Sequence, residues 1–266
     1  MSHPDILGSP HSAIAEICLT YLSSRQVKAS WASPSPDTRD TPFLEYCSIY
    51  WGVHAKRELS GYGRSLALEL LKKNYGPIST ELLLAQVNNF YIWEFDTVSP
   101  FSGIHCASFF GIVEVVAGLI EMECYDINEG DFAGCTSLVW AARNGHEELV
   151  KALLERKEVN PNKPDDESLT PLSVAAWNGR EGVVKILLGR EDVNPDKPDR
   201  KNRTPLSFAA GDGHEAVVEM LLGSEEVNPD KRDNYGRTPL WFASLLGRGR
   251  VVALLQSGGA ATPGNI

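Results

Sequence analysis

The residues closest to a catalytic pattern are His146-Glu147 and His214-Glu215. A zinc-dependent hydrolase needs H-E-x-x-H on one helix, so that two imidazoles hold the metal while the glutamate activates water. No second His follows either pair at that spacing, so both read as turn residues. Gly61-x-Gly63-x-x-Leu66 lacks the third glycine of a dinucleotide fingerprint and has no strand before it, and reads as a helix-entry turn. The chain contains neither a G-x-S-x-G nucleophile elbow nor a G-x-x-x-x-G-K-[ST] phosphate loop. Asp165-Asp166-Glu167 has the charge to attract a cation, but a short acidic run is ordinarily a solvated surface. Asn202-Arg203-Thr204 is formally a glycosylation sequon and reads as a turn. Cys18, Cys47, Cys106, Cys124 and Cys135 are an odd number with no C-x-x-C pair, which suits reduced core thiols. The expectation is a protein that is not an enzyme, with no catalytic residue, cofactor or metal.

Composition narrows the class further. The 266 residues carry 25 Lys+Arg against 35 Asp+Glu, a net charge of −10, so the basic surplus that drives nucleic-acid binding is missing. The N-terminal MSHPDILGSP lacks the basic start and apolar run of a signal peptide, and the most apolar stretches are interrupted by charge. The expectation is a soluble intracellular protein, in the cytoplasm or nucleus, with no membrane or nucleic-acid partner.

With chemistry largely excluded, the elements themselves carry the information. Thr136-Ser137-Leu138, Thr170-Pro171-Leu172, Thr204-Pro205-Leu206 and Thr238-Pro239-Leu240 recur every 34 residues, and one step back stands Ser102-Gly103-Ile104-His105. Nine residues after each start lies Gly111, Gly145, Gly179, Gly213 or Gly247. Between start and glycine come small pairs such as Ala141-Ala142 and Ala209-Ala210, which let a short first helix pack closely. Beyond the glycine come Leu149-Val150 then Leu153-Leu154, and Val183-Val184 then Leu187-Leu188, the buried stripe of a second helix. The glycine between the two helices suits a left-handed backbone position. Connecting loops repeat almost verbatim as Val193-Asn194-Pro195-Asp196 and Val227-Asn228-Pro229-Asp230.

This pattern resembles the ankyrin repeat, with its T-P-L-H-x-A start and Gly-His turn, over about residues 97–259. The resemblance implies an all-α solenoid of about five repeats (97–130, 131–164, 165–198, 199–232 and 233–259), preceded by a helical N-terminal region (1–96) and followed by a flexible tail (260–266). Two departures stand out. Gly179-Arg180 and Gly247-Arg248 replace Gly-His, and the His of T-P-L-H survives only as His105, giving way to Val139, Ser173, Ser207 and Trp241. Losing that His removes a local hydrogen bond, so weaker individual repeats are expected. Gln256 stands where Leu or Ile belongs, marking a polar, frayed end at which Leu255 should matter less than Leu187.

The first 96 residues lack the period. They read as helices from about His11 to Ser24, from Pro42 onward, from Arg64 to Lys73 and from Ser79 to Asn89, with Phe90–Phe95 as a contact that caps the first repeat. The strings HSAIAEICLTYL, PFLEYCSIYWGVHAKRE and RSLALELLKKN, with the VNPD loops, resemble the helical and ankyrin part of fungal NACHT-type signal-transduction NTPases.

An ankyrin resemblance implies a non-catalytic protein-interaction module whose protein partner lies on a concave face of finger turns and first helices. The positions it designates before each glycine are Phe109-Phe110, Arg143-Asn144, Trp177-Asn178, Gly211-Asp212 and Leu245-Leu246; at the finger tips they are Phe132-Ala133, Asp166-Glu167, Arg200-Lys201 and Asn234-Tyr235. Large apolar residues at slots that packing does not require are informative, because interface hot spots favour aromatics and Arg. Trp177 is expected to gain little from folding. For Phe109 and Phe110 the competing reading is burial by the N-terminal helices.

Overall fold

Each of the four Thr-initiated helices begins the same way. Thr136, Thr170, Thr204 and Thr238 sit in extended backbone and accept a hydrogen bond from the backbone N–H three residues on, at 3.1 to 3.3 Å. In three of them proline follows at the first helical position, where its missing N–H costs nothing. Each helix ends within two residues of a glycine at positive φ: Gly145, Gly179, Gly213 and Gly247, at 74°, 63°, 85° and 68°. An L-residue is strained there, so the spacing of nine between start and glycine fixes the helix length.

The computed structural model describes residues 9–24, 27, 43–72, 101–122 and 125–258. Among them are thirteen helices and no strand: α1 (Pro10–Leu22), α2 (Leu44–Arg57), α3 (Gly61–Leu71), α4 (Gly103–Phe110), α5 (Val113–Glu121), α6 (Ser137–Asn144), α7 (Glu147–Leu154), α8 (Pro171–Trp177), α9 (Glu181–Leu188), α10 (Pro205–Asp212), α11 (Glu215–Leu222), α12 (Pro239–Leu245) and α13 (Gly249–Ser257). The chain divides into two compact units, Met1–Asp126 and Ile127–Ile266.

In the first unit α1 lies against α2 and α3, burying Ala15, Cys18, Leu19, Leu22, Cys47 and Trp51. A polar clasp joins α1 to α2: Arg57 Nη1 is 3.0 Å from His11 Nε2, the Nδ1 atoms of His11 and His54 are 2.8 Å apart, and Tyr46 Oη is 3.3 Å from His54 Nε2. Ser60 caps α3 by accepting from Gly63 N–H, so this helix starts at Gly61, three residues before the sequence places it. The first-repeat pair α4–α5 packs on α2 and α3, with Phe110 edge-on to Trp51 at 5.3 Å and Tyr125 Oη donating to Leu71 O at 2.5 Å. The expected Ser79–Asn89 helix and the Phe90–Phe95 contact lie outside the described residues.

The second unit is a stack of four helix pairs. The Thr-initiated helices α6, α8, α10 and α12 pack side by side as one row, and α7, α9, α11 and α13 form a second row behind them. Ala141-Ala142, Ala175-Ala176 and Ala209-Ala210 are at most 0% exposed, which is what lets the first row close up. Val183, Val184, Leu187, Val217, Val218 and Leu221 fill the space between the rows.

Side chains then lock each repeat to the one before it. Arg180 Nε donates to Arg143 O at 2.9 Å, Arg248 Nε donates to Gly211 O at 3.0 Å, and His214 Nε2 lies 2.9 Å from Trp177 O. The Arg that departs from Gly-His therefore makes the same bond as the His. In the connecting loops Asn128 Nδ2 donates to Glu158 O while its Oδ1 accepts from Asn160 N–H, and Asn162 repeats this with Asp192 O and Asn194 N–H. Lys197 Nζ also donates to Asn162 O, and in the next register, where Asp196 has no amide to donate, Lys231 Nζ donates to both its O and its Oδ2.

Candidate protein-binding face

The finger turns are built by four buried aspartates. Asp131, Asp165, Asp199 and Asp233, 34 residues apart, each accept two backbone N–H bonds on Oδ1, from the second and fourth residues ahead, at 2.7 to 2.9 Å. The reading of Asp165 as part of a solvated acidic run is thus corrected: it is 9% exposed and shapes the turn. The residue three beyond each Asp takes positive φ: Gly134 at 72°, Ser168 at 65°, Asn202 at 63° and Gly236 at 76°. Asn202, the sequon asparagine, is this left-handed finger position.

Successive fingers are joined by backbone. Asp166 N–H donates to Ala133 O at 2.9 Å, Arg200 to Glu167 O at 3.3 Å and Asn234 to Lys201 O at 2.9 Å. Their tips are held in a row.

What the other oxygen of each Asp meets differs from finger to finger. Trp140 Nε1 donates to Asp131 Oδ2 at 2.8 Å. Arg203 and Arg237 make two-pronged pairs with Asp199 and Asp233, with distances of 2.6 to 2.8 Å. Leu169 occupies the same register beside Asp165, whose Oδ2 meets the Cys135 thiol at 4.0 Å. Burial pushes the Asp165 carboxyl above its ordinary range, against the two turn bonds and Arg143. Burial acts on Asp233 the same way, but there the Arg237 pair and the turn bonds outweigh it and the carboxyl lies below its ordinary range. Each paired guanidinium also covers aromatic rings: Arg203 is 4.5 Å from the Phe208 centroid, and Arg237 is 4.7, 5.1 and 4.8 Å from Tyr235, Trp241 and Phe242.

The missing T-P-L-H histidine is partly replaced. His105 Nδ1 accepts from Ser102 N–H at 3.2 Å, and Ser207 Oγ accepts from Thr204 N–H at the same 3.2 Å. Ser173 Oγ meets Thr170 Oγ1 at 3.0 Å. Two of the four substituted repeats therefore retain a hydroxyl bond at the helix start, so the expected weakening does not apply to them uniformly.

Of the designated contact residues, Phe110 is corrected: it is 6% exposed and packs on Trp51. Phe109 is half-buried and edge-on to Phe110 at 5.1 Å, in the first unit. The remaining positions belong to the second unit. Phe132, Arg143 and Asn144 are half-buried, with Arg143 over the Trp140 ring at 5.2 Å. Asp166, Glu167, Arg200, Lys201, Asn178 and Asp212 are exposed, although Asn178 Nδ2 is occupied by Val174 O. Trp177, Leu245 and Tyr235 are 41%, 64% and 71% exposed. Trp177 is not idle in the fold, however, because its ring stacks on that of Phe208 at 5.2 Å and 24°. Leu246, 51% exposed, stands beside Leu245 at the position before the glycine; sequence reasoning passed over the Trp241-Phe242 pair as a contact, and the signal for Trp241 was its place in the register of Ser173 and Ser207.

Other chemistry is sparse. Cys18, Cys47, Cys106 and Cys135 are buried free thiols, and burial holds Cys106 and Cys135 far above the range in which a thiol is reactive; Cys124 lies outside the described residues. Among the described residues no three His, Cys, Asp or Glu side chains are grouped to hold a metal, and no helix is long and apolar enough to cross a membrane. A cleft of about 320 Å³ between the α6–α7 and α8–α9 turns is lined by Glu147, Arg180 and Glu181, and Arg180 there is already bonded to Arg143 O.

No curated protein matches the chain. The family model for ankyrin repeats (3 copies) matches residues 104–199 and 191–262, more than half of the sequence, in the register of the helices, glycine turns and aspartate fingers described above. The chain belongs to the ankyrin-repeat family.

Proposed function

We propose that this chain is a non-catalytic interaction module, working inside the cell, that binds a protein partner on the face made by the finger tips and the α8, α10 and α12 ends. Ankyrin repeats generally mediate protein–protein interaction. The observation that carries the assignment to this face is Trp177: it is 41% exposed at a position filled elsewhere by Arg143, Gly211 and Leu245, none of which packing demands. An exposed aromatic of this kind on a rigid row of helices is the usual form of a binding hot spot. Leu245, Leu246 and Tyr235 extend the apolar surface in the last repeat.

The test is capture of partners from cell extract by the whole chain, compared with Trp177→Ala and with Leu245→Ser. Loss of the same captured protein in both variants, with helical content retained, supports the face. A partner retained equally by both variants refutes it.

The second reading, a ligand-sensing regulatory piece of a NACHT-type NTPase, is supported by the resemblance of the α1 and α2 strings and the VNPD loops. An in-frame upstream phosphate loop in the gene is the finding that would favour it.

A further inference from the structure

The charges on the finger row give the proposed face a polarity. Arg203 and Arg237 are consumed by Asp199 and Asp233, and Arg232 Nη1 donates to Gly236 O at 3.3 Å. Arg200 and Lys201 are exposed, and among the described residues neither side chain makes a hydrogen bond or ion pair. Asp166 and Glu167, on the adjacent finger, are equally exposed, yet no pair closes between the two tips even though their backbones are joined. An acidic protein of net charge −10 thus keeps a cationic tip open beside its apolar ledge.

The ledge itself runs from Trp177, across Gly211, to Leu245 and Leu246. Gly211 lies buried between Trp177 and the last repeat, with Leu246 and Phe242 3.7 Å from where a Cβ would stand. Asp212, exposed at the end of α10, edges the ledge on the side away from the fingers. The helices of this row have seven or eight residues, so finger bases and helix ends are about 10 to 12 Å apart at ~1.5 Å per residue, the width of one peptide segment.

We infer that the occupant is a single segment in which an apolar anchor is flanked by carboxylates, lying over α8, α10 and α12 with its acidic side toward Arg200 and Lys201. This rests on the face proposed above. The anchor covers Trp177, Leu245 and Leu246. At the helix-end edge Arg180 and Arg248 are tied back through Nε to Arg143 O and Gly211 O with the exposed Asp212 between them, and one finger back stand Asp166 and Glu167, so the carboxylates face Arg200 and Lys201. Rim charges of this kind act mainly on association rate and on orientation.

The test is selection of a random phage-displayed peptide library on the whole chain, followed by anisotropy titration of the selected peptides as free labelled probes. The expected peptides carry Asp or Glu within a few positions of Leu, Phe or Trp. Arg200→Glu combined with Lys201→Glu, both exposed and without side-chain partners, weakens them at least tenfold, as does Trp177→Ala, and salt raised from about 0.05 to about 0.3 M weakens the parent complex but hardly the charge-reversed one. Leu246→Ser, at the far end of the ledge, also weakens binding at least tenfold, and circular dichroism checks that each variant is folded. Peptides without acidic residues, or indifferent to the charge reversal but lost with Trp177→Ala, overturn the acidic occupant and leave the face standing. Peptides indifferent to Trp177→Ala and Leu246→Ser overturn the face as well. A selection that enriches nothing, or a single-stranded oligonucleotide bound through Arg200 and Lys201, also overturns the inference.

Discussion

Two of the finger aspartates should respond very differently to the same substitution. In Asp233→Asn the amide oxygen can still accept from Tyr235 and Arg237 N–H, so the turn survives. Its Nδ2, however, points donors at Arg237 Nε and Nη2, which now stand 2.7 and 2.6 Å from Oδ2. The Asp233 side chain is 0% exposed and the Arg237 side chain 29%, so water cannot fully take over. Breaking a buried pair from one side costs about 3 to 5 kcal/mol, and the residual exposure of Arg237 argues for the lower end, about 3 kcal/mol. In Asp165→Asn the same two turn bonds survive, and the displaced oxygen faced only a thiol at 4.0 Å. Replacing a carboxylate that burial already disfavours should change stability by less than about 1 kcal/mol. Urea unfolding followed by circular dichroism, at pH 7 and again near pH 4, measures both. Because the folded Asp233 carboxyl titrates below the unfolded value, the stability it contributes is present above about pH 4 and is lost as pH falls through the folded value. Asp165, titrating above the unfolded value, costs stability at neutral pH, and that cost is relieved on acidification. Equal losses for the two variants at pH 7 would refute the claim that the Arg pair, rather than the turn bonds, separates these fingers.

Three further outcomes follow from the packing. Leu187→Ala should cost roughly 2 to 5 kcal/mol in the same urea assay; Leu255, also 0% exposed, should cost about 2 kcal/mol rather than the trivial amount its terminal position suggests, because the polar end begins only at Gln256. Ser168→Gly should raise the midpoint by the equivalent of about 0.5 kcal/mol, since a left-handed serine costs about 1 to 2 kcal/mol and the freer unfolded glycine returns part of it; a destabilised variant would show that the serine has a role beyond the turn. Burial, His11 and Arg57 together hold His54 below its ordinary value, so the folded state prefers the neutral ring and the first unit should lose stability as pH drops below about 6.5, a slope that His54→Gln should flatten; a ring resonance titrating above that value in nuclear magnetic resonance would contradict it.

The repeat was legible because it rests on backbone demands: Thr at an N-cap, Pro after it, and glycine at positive φ each have one structural solution. The fingers were half legible. Asp165 and Asp166 are chemically identical letters, and only the turn decides that one is buried as an acceptor while the other faces outward. The same holds for Phe109 and Phe110, where helix rotation turns one ring into Trp51 and leaves the other at the edge. Trp177 was identified as surface, but its stack on Phe208 joins residues 31 positions apart, a relation periodicity at 34 does not reveal. That contact gives Trp177→Ala a stability cost of about 1 kcal/mol beside its effect on binding.

The turn bonds of the second unit have one direction, with Arg180, His214 and Arg248 each reaching toward the N-terminal neighbour, while in the loops Asn128 and Asn162 reach toward the C-terminal one. Tension applied between Ile127 and Gly258 would load these links in series, so no two interfaces share the force. Such a stack should extend in discrete steps of one helix pair, starting from an end of the row, α6–α7 or α12–α13, where a pair has one neighbour within the unit. The second unit would then behave under load as a graded spring, giving way from an end while the inner repeats keep their shape.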